Sequence, residues 1–456
     1  MARFLFSVLP TRGHMYPSLP VAYALSDAGH AVAFLTLPEF RHLLEPRGIA
    51  YLPLERPAEG GNPAAHRNRR DDSGVREAAV EAFMSAFIRP LPGMVRALLG
   101  VCAEWRPEVL VNDYVSYAGL IAAEHQGLPV ATLNMTVVTW PGQSLGPFGR
   151  GLPPARDEAT RARYAELRRR AEAAFGGVLA AYNEVRERFG LPPRSGPLSL
   201  ATLSPYLQMV QTILALDYDR GDVPPQVHYV GPCAWDPGGM LDRETASWLD
   251  GLPRDLPLVL VAASGAFTRS AGLVEAALSG LSGSPVALLA TLPFAHALHE
   301  AGVNERADRR LVRFVAHSEV LPRAGVVVTH GGFGTVTKAL LHGLPLVIVP
   351  YAGDQPEVAQ RVVAAGAGVS LYPEQLTPET LRSAVETVIA RPEYRRSARR
   401  LAELMARCDG PGESARLLGL LAETGRPVAR PSPPTAGLAR EEAERMAAPD
   451  APAVAG

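Results

Sequence analysis

The stretch VVVTHGGFGTVTKALLHGLPLVIVPYAGDQ, residues 326–355, decides the fold. A β-branched apolar run at 326–328 leads into His330 and a glycine-rich turn. A helix-like segment follows at 336–342, then a second apolar run at 344–349. The order is strand, turn, helix, strand. The turn falls at a helix N-terminus, where unpaired backbone N–H groups and the helix dipole favour an anion. Glycines let the backbone approach a phosphate closely. His330 adds a polar group at the entrance, cationic when protonated. Asp354-Gln355, after the second strand, is a carboxylate–amide pair suited to hydroxyl groups. One segment thus offers a diphosphate cradle beside a hydroxyl-binding pair, the two features a nucleotide sugar presents.

The same alternation runs outward through the chain. FLFSVLP (4–10), AVAFLTL (31–37) and EVLVND (108–113) read as strands in the first part. PLVLVAAS (257–264), VALLATL (286–292), LVRFV (311–315), VVVTH (326–330) and LVIVP (346–350) do so in the second. Apolar runs without strict alternation suit strands buried on both faces of a parallel sheet. The expectation is an α/β protein of two doubly wound, Rossmann-like domains. The boundaries read as 1–215 for the first domain, 216–240 for a linker rich in Pro, Gly and Asp, and 241–391 for the second. Loops 55–74 and 140–158 are long enough to cover a ligand. The segment 425–456, rich in Pro and Ala, is expected to be disordered.

Composition narrows the classes. At 456 residues with 47% hydrophobic content, the chain supports more than one core. A net charge of −1 gives no general attraction to nucleic acid or anionic membrane. The three cysteines, Cys102, Cys233 and Cys408, form no metal-ligand or disulfide pattern. No apolar run approaches the ~20 residues of a membrane span, and the N-terminus lacks a signal-peptide pattern. The expectation is a cytoplasmic protein, monomer or homodimer, with no nucleic-acid partner.

Two residues point to catalysis. His14 follows the first strand in PTRGHMYP, where Gly13 suits a tight turn and Pro17 the first turn of a helix. Ligands of open α/β sheets bind at the carboxyl ends of strands, so His14 stands where a general base would. The alternative is a histidine capping a loop. Asp113 ends the strand EVLVND and suits either of two roles, orienting His14 or capping the next helix. Asp217 and Asp219 form a triplet of the kind that holds a divalent metal in some sugar transferases; a linker position argues against that role. No GxGxxG, GxSxG, HExxH or CxxC motif is present.

With His14, Asp113 and 326–355 in hand, the chain resembles the family 1 glycosyltransferases of GT-B fold. Within them it is similar to bacterial enzymes that glycosylate macrolides and aromatic polyketides. The resemblance spans roughly 1–425 and rests on RGHMYPSLPVAYALSDAGHAV, QVHYVGP and HGGFGT…HGLPLVIVPYAGDQ. It implies an acceptor-binding first domain, a donor-binding second domain and helices at 392–424 that return to the first. It implies His14 as catalytic base and Asp113 as its partner. His330, Gly332, Phe333, Gly334 and Thr335 match the diphosphate site; Asp354 and Gln355 match the sugar contacts. Where many relatives carry a ribose-gripping glutamate, this chain has Lys338, and lysine accepts no hydrogen bond. The base-stacking segment becomes Val315-Ala316-His317, and Ser264 is the one hydroxyl left in its turn. Tyr114, Trp140 and Phe148 are candidate acceptor walls.

The resemblance implies inverting transfer of a hexose from a UDP- or TDP-sugar to a hydroxyl of a hydrophobic aglycone, with no cofactor and no metal. Three alternatives stand beside it: a C-glycosyltransferase, a sugar-nucleotide epimerase or hydrolase, and a non-catalytic nucleotide-sugar-binding protein.

Overall fold

The computed structural model describes residues 1–54, 77–218, 220–239, 241–263, 271–292 and 307–430. Seven strands build the first sheet: β1 (Arg3–Ser7), β2 (Ala31–Thr36), β3 (Ala50–Pro53), β4 (Val109–Asp113), β5 (Val130–Asn134), β6 (Leu207–Val210) and β7 (Val227–Tyr229). Six build the second: β8 (Leu258–Ala262), β9 (Ala287–Thr291), β10 (Arg309–Val312), β11 (Ala324–Thr329), β12 (Leu346–Ile348) and β13 (Gly368–Ser370). The orders are β3-β2-β1-β4-β5-β6-β7 and β10-β9-β8-β11-β12-β13. Pairings within both sheets are parallel, as at Phe4↔Val109 and Val327↔Leu346. In each sheet the order of strand addition reverses near the centre, between β1 and β4 and between β8 and β11. Such a switch point opens a crevice at the carboxyl ends of the strands, where α/β proteins bind ligands.

The strands form because they are apolar on both faces. Phe4 and Phe6 pack on one side of β1 with the helix Arg12–Asp27, while Leu5 packs on the other with the helix Leu91–Trp105. The eight strands read from the sequence are present; most are shorter, β10 (Arg309–Val312) begins two residues before the run read at 311–315, and β11 (Ala324–Thr329) begins two residues before the run read at 326–330. Five were missed. β5, β6 and β7 carry Thr132, Asn134, Gln208 and His228, and β3 and β13 are only four and three residues long. Because β7 belongs to the first sheet, the first domain extends into the stretch expected as linker.

The end of the chain divides between the domains. The helix Pro392–Met405 stays on the second, where Ala398, Leu401 and Met405 join its core. The helix Gly410–Thr424 lies on the first, and Leu417, Leu418 and Leu421 pack beside Met15 and Leu19. The expected disorder does not begin at residue 425. Val428 is buried, its N–H bonds the Tyr206 carbonyl at 2.9 Å, and its own carbonyl meets His228 Nε2 at 2.8 Å. The remainder of the expected tail, 431–456, and the loop 55–74 lie outside the described residues.

One helical run, 79–105, is long and apolar enough to cross a membrane by length and composition. Arg89 and Pro90 interrupt the apolar residues of that run. Here Ile88, Leu91, Val95 and Leu98 pack in the core of the first domain.

Docking of the last helix is testable. Leu421→Ala removes a fully buried side chain and is expected to cost about 2–5 kcal/mol in urea unfolding. An unchanged midpoint contradicts that docking.

Candidate functional site

The first half of the site lies where β1 and β4 part. Asp113 Oδ2 accepts the Leu9 N–H at 2.9 Å and lies 2.8 Å from His14 Nδ1. Oδ1 accepts the Val115 N–H at 3.1 Å. Asp113 is wholly buried, while 20% of the His14 side chain is exposed. The carboxylate on Nδ1 selects the tautomer that leaves Nε2 as the free nitrogen. Burial alone lowers the His14 pKa. The charge and hydrogen bond of Asp113, with a smaller push from Asp354, outweigh it and raise the pKa above 6.5. Asp113 therefore orients the histidine. It does not cap the helix Tyr117–Gln126, whose N-cap is Ser116.

His14 sits in the first turn of the helix Arg12–Asp27, not at a loop tip. Its N–H bonds the Thr11 carbonyl at 3.0 Å. Gly13 is helical and a Cβ there meets nothing, so no glycine-only turn exists; Pro17 lies inside the helix rather than in its first turn.

The second half lies where β8 and β11 part. His330 Nδ1 faces the Ala262 carbonyl at 3.4 Å. Gly331 takes φ +90, and Gly332 is the N-cap of the helix Phe333–Leu341. A Cβ on Gly332 would stand 2.6 Å from His330 Nε2, so any larger residue would displace the imidazole. Among the described residues, the N–H groups of Phe333 and Gly334 have no backbone acceptor, as expected of a first helical turn. The Phe333 side chain belongs to the core, which leaves its backbone as the group available to a ligand. Thr335 turns its N–H back to the Gly332 carbonyl at 3.0 Å. Burial pushes the His330 pKa down to about 4. The cationic reading of His330 is thus corrected: it is neutral near pH 7.

Lys338 stands farther along the same helix. Its Nζ pairs with Asp236 Oδ2 at 3.2 Å, and Asp236 also accepts the Ser318 N–H at 3.1 Å and hydroxyl at 2.6 Å. Burial lowers the Lys338 pKa, and Asp236 opposes it. His317 belongs to this cluster. Burial, then the Lys338 charge, push its pKa down to about 3, and its Nδ1 is buried without a partner. Ser264 lies outside the described residues. Asp236 escaped the sequence reading, but a signal existed: Lys338 is the only lysine among the 45 basic Lys and Arg residues.

The halves meet at Asp354. Its Oδ2 accepts the Thr136 hydroxyl at 2.6 Å from the first domain. Burial raises its pKa, while the Thr136 bond and the His14 charge pull it down. Gln355 is only partly free, since its Oε1 accepts the Tyr351 and Ala352 N–H groups at 2.8 and 3.2 Å. A cavity of about 640 Å³ opens beside Asp354, and Tyr114, Trp140 and Phe148 line it with Phe83, Phe87 and Phe175. Tyr114 also stacks on His14, with ring centroids 5.8 Å apart. Burial, then the Asp354 and Asp113 charges, hold its pKa well above 10, so it remains a hydroxyl donor. Trp140 is largely core, whereas Phe148 is 44% exposed. The metal reading of the acidic triplet meets a competing use: Asp217 is ion-paired with Arg361 at 2.7 Å. Asp219 lies outside the described residues.

The chain is similar in sequence and fold to known proteins. Residues 295–420 match the model of the erythromycin biosynthesis protein CIII-like C-terminal domain. The chain is 30% identical over 422 residues to 4'-demethylrebeccamycin synthase of Lentzea aerocolonigenes, covering 91% of this chain and 99% of that one. It is 27% identical to demethyllactenocin mycarosyltransferase of Streptomyces fradiae, covering 92% and 87%. Among solved structures, the glycosyltransferase VinC in complex with DTDP superposes with a TM-score of 0.66 over 92% of this chain and 99% of that one, at 21% identity.

The histidines set the pH response. A raised His14 pKa contributes stability present in full below pH 6.5 and lost as pH rises through the folded value. Asp113→Asn is expected to drop the His14 pKa below 6.5 in histidine-labelled NMR titrations; a pKa unmoved by Asp113→Asn contradicts the pairing. The depressed pKa of His330 works oppositely. Its contribution is full above pH 6.5 and is lost as pH falls towards about 4. Acid titration of His330→Asn is expected to lack that loss.

Proposed function

We propose, for a chain that belongs to the GT-B glycosyltransferases of antibiotic and natural-product biosynthesis, the transfer of a hexose from a TDP-linked sugar to a hydroxyl of a small hydrophobic aglycone, with inversion. The family uses nucleotide sugars. The choice of TDP draws on the DTDP bound by VinC. The observation that carries the reading is the His14 Nδ1–Asp113 contact of 2.8 Å, beside an apolar cavity whose wall includes Asp354.

In this reading the aglycone occupies the aromatic cavity. His14 Nε2 takes the proton of its hydroxyl as the oxygen attacks the anomeric carbon. The bond from that carbon to the diphosphate oxygen breaks, and nucleoside diphosphate leaves from the opposite face. Asp113 stabilises the imidazolium formed on His14. The first-turn N–H groups after His330 receive the charge developing on the leaving diphosphate. Neutral His330, its Nδ1 turned to the Ala262 carbonyl, lines that diphosphate site and adds no charge to it. Asp354 accepts from the sugar hydroxyls, and Gln355 keeps its amide N–H groups for them while its oxygen holds the loop. His317, Lys338 and Asp236 form the nucleoside side, a dipolar pair replacing a lone carboxylate.

His14→Ala is expected to lower transfer to an unactivated alcohol by about 10²–10⁴-fold while calorimetric TDP affinity stays unchanged. Wild-type-like turnover would sink the base assignment. Proton couplings at the anomeric centre of the product are expected to report the configuration opposite to the donor's. Lys338→Met is expected to weaken TDP binding by about tenfold, the scale of one charged hydrogen bond. An unaltered affinity removes Lys338 from the donor site.

A further inference from the structure

The helix Gln355–Ala364 is fastened to the first domain at three points. Asp354, Glu357 and Arg361 recur at spacings of three and four residues, which aligns them on one helix face. Asp354 takes the Thr136 hydroxyl at 2.6 Å. Glu357 Oε1 accepts the N–H groups of both Gly149 and Gly151 at 3.0 Å. Arg361 Nε donates to Asp217 Oδ1 at 2.7 Å, and its Nη1 to Glu357 Oε2 at 3.2 Å. Asp217 Oδ2 also accepts the Val138 N–H at 3.0 Å and the Tyr229 hydroxyl at 3.1 Å. The Tyr218 ring lies 4.4 Å from the guanidinium carbon. At Gly151, a Cβ would fall 2.5 Å from the Pro356 carbonyl oxygen, so the loop is pressed onto the start of the helix.

This network is an expensive way to gain stability. Arg361 is 2% exposed, and its Nη2 is buried with no partner. Desolvating such charges offsets most of their attraction, and apolar residues of similar volume often stabilise as well or better. What an ion pair of fixed geometry supplies is position. The loop it holds, 145–149, walls the cavity, and the helix it holds begins at the Asp354 that faces His14.

We propose that Arg361 and Glu357 are positioning residues that lock the acceptor-cavity loop to the sugar-binding end of the second domain. The proposal rests on the functional reading above. With the lock in place, the aglycone hydroxyl, His14 and the anomeric carbon keep one register, and water is kept from the anomeric carbon. With the lock broken, water competes. Its oxygen bonds the anomeric carbon, its proton goes to His14, the bond to the diphosphate breaks, and free sugar is released.

The test compares full-length wild type with Arg361→Met, Arg361→Lys and Glu357→Ala. Two readouts are taken: donor hydrolysed per donor transferred, and hydrogen exchange of the amides in 145–151. Arg361→Met and Glu357→Ala are expected to raise the acceptor KM and to raise the hydrolysis-to-transfer ratio about ten- to a hundredfold, the scale of a misplacement near 1 Å. Exchange at Gly149 and Gly151 is expected to quicken, and Arg361→Lys to recover part of both effects. An unchanged ratio, or a loss of kcat that only follows the folded fraction, overturns the proposal. Should Arg361→Met not fold, Glu357→Ala decides. If wild type transfers sugar to no aglycone, the functional reading has failed by itself. Exchange then decides the lock, and unchanged exchange in both variants overturns it.

Discussion

Everything at the first switch point depends on one buried carboxylate. A carboxyl group with no exposure is tolerable only if its oxygens are satisfied, because burying an unpaired polar group is costly. Its partners are the Leu9 N–H, the Val115 N–H and the His14 ring. The first ties the chain leaving β1 to the end of β4, and the second fixes the turn after β4. The third holds the imidazole in one tautomer and raises its basicity. One interaction therefore joins the centre of the sheet, the start of the first helix and the chemistry.

The two switch points are electrically unlike, and the difference suits their tasks. The first pairs a buried carboxylate with a histidine that is more basic than usual. The second buries its imidazoles, His317 and His330, so deeply that they stay neutral. Its positive potential comes from the first turn of the helix Phe333–Leu341, with Lys338 balanced by Asp236. A preorganised dipole receives a developing anion without reorganising, whereas a proton acceptor must be free to change charge. The face formed by Asp354, Glu357 and Arg361 joins these two environments across the domain interface.

Much of this was legible from the chain. Apolar runs make up most of β1, β2, β4, β8, β9, β11 and β12, and Leu311 and Val312 carry β10, so these eight show in the sequence. The strands that escaped are short or partly polar: β3 and β13 have four and three residues, β5 carries Thr132 and Asn134, and Gln208 and His228 of β6 and β7 find polar partners in neighbouring segments. His14 and Asp113 were legible because each lies at or just beyond the end of an apolar run. Asp236, Glu357 and Arg361 were not, and Asp217 was legible only as a candidate metal ligand. A carboxylate in an irregular segment and an arginine on a helix both read as solvated surface, and only burial turns them into partners.

The sequence by itself determined the two parallel sheets, the glycine turn with its helix, and the residues at the strand ends. Each follows from local pattern: apolar runs, positions only glycine fills, and turns at strand termini. The tertiary structure decided the charges and the pairings. It made His330 neutral by burial, gave Lys338 the counter-ion Asp236, withdrew the Phe333 side chain into the core and committed the Gln355 oxygen to its own loop. It also brought Asp354 to His14 and Arg361 to Asp217, residues far apart in the chain. Desolvation and ion pairing depend on what surrounds a group in space, and no spacing along the chain records that.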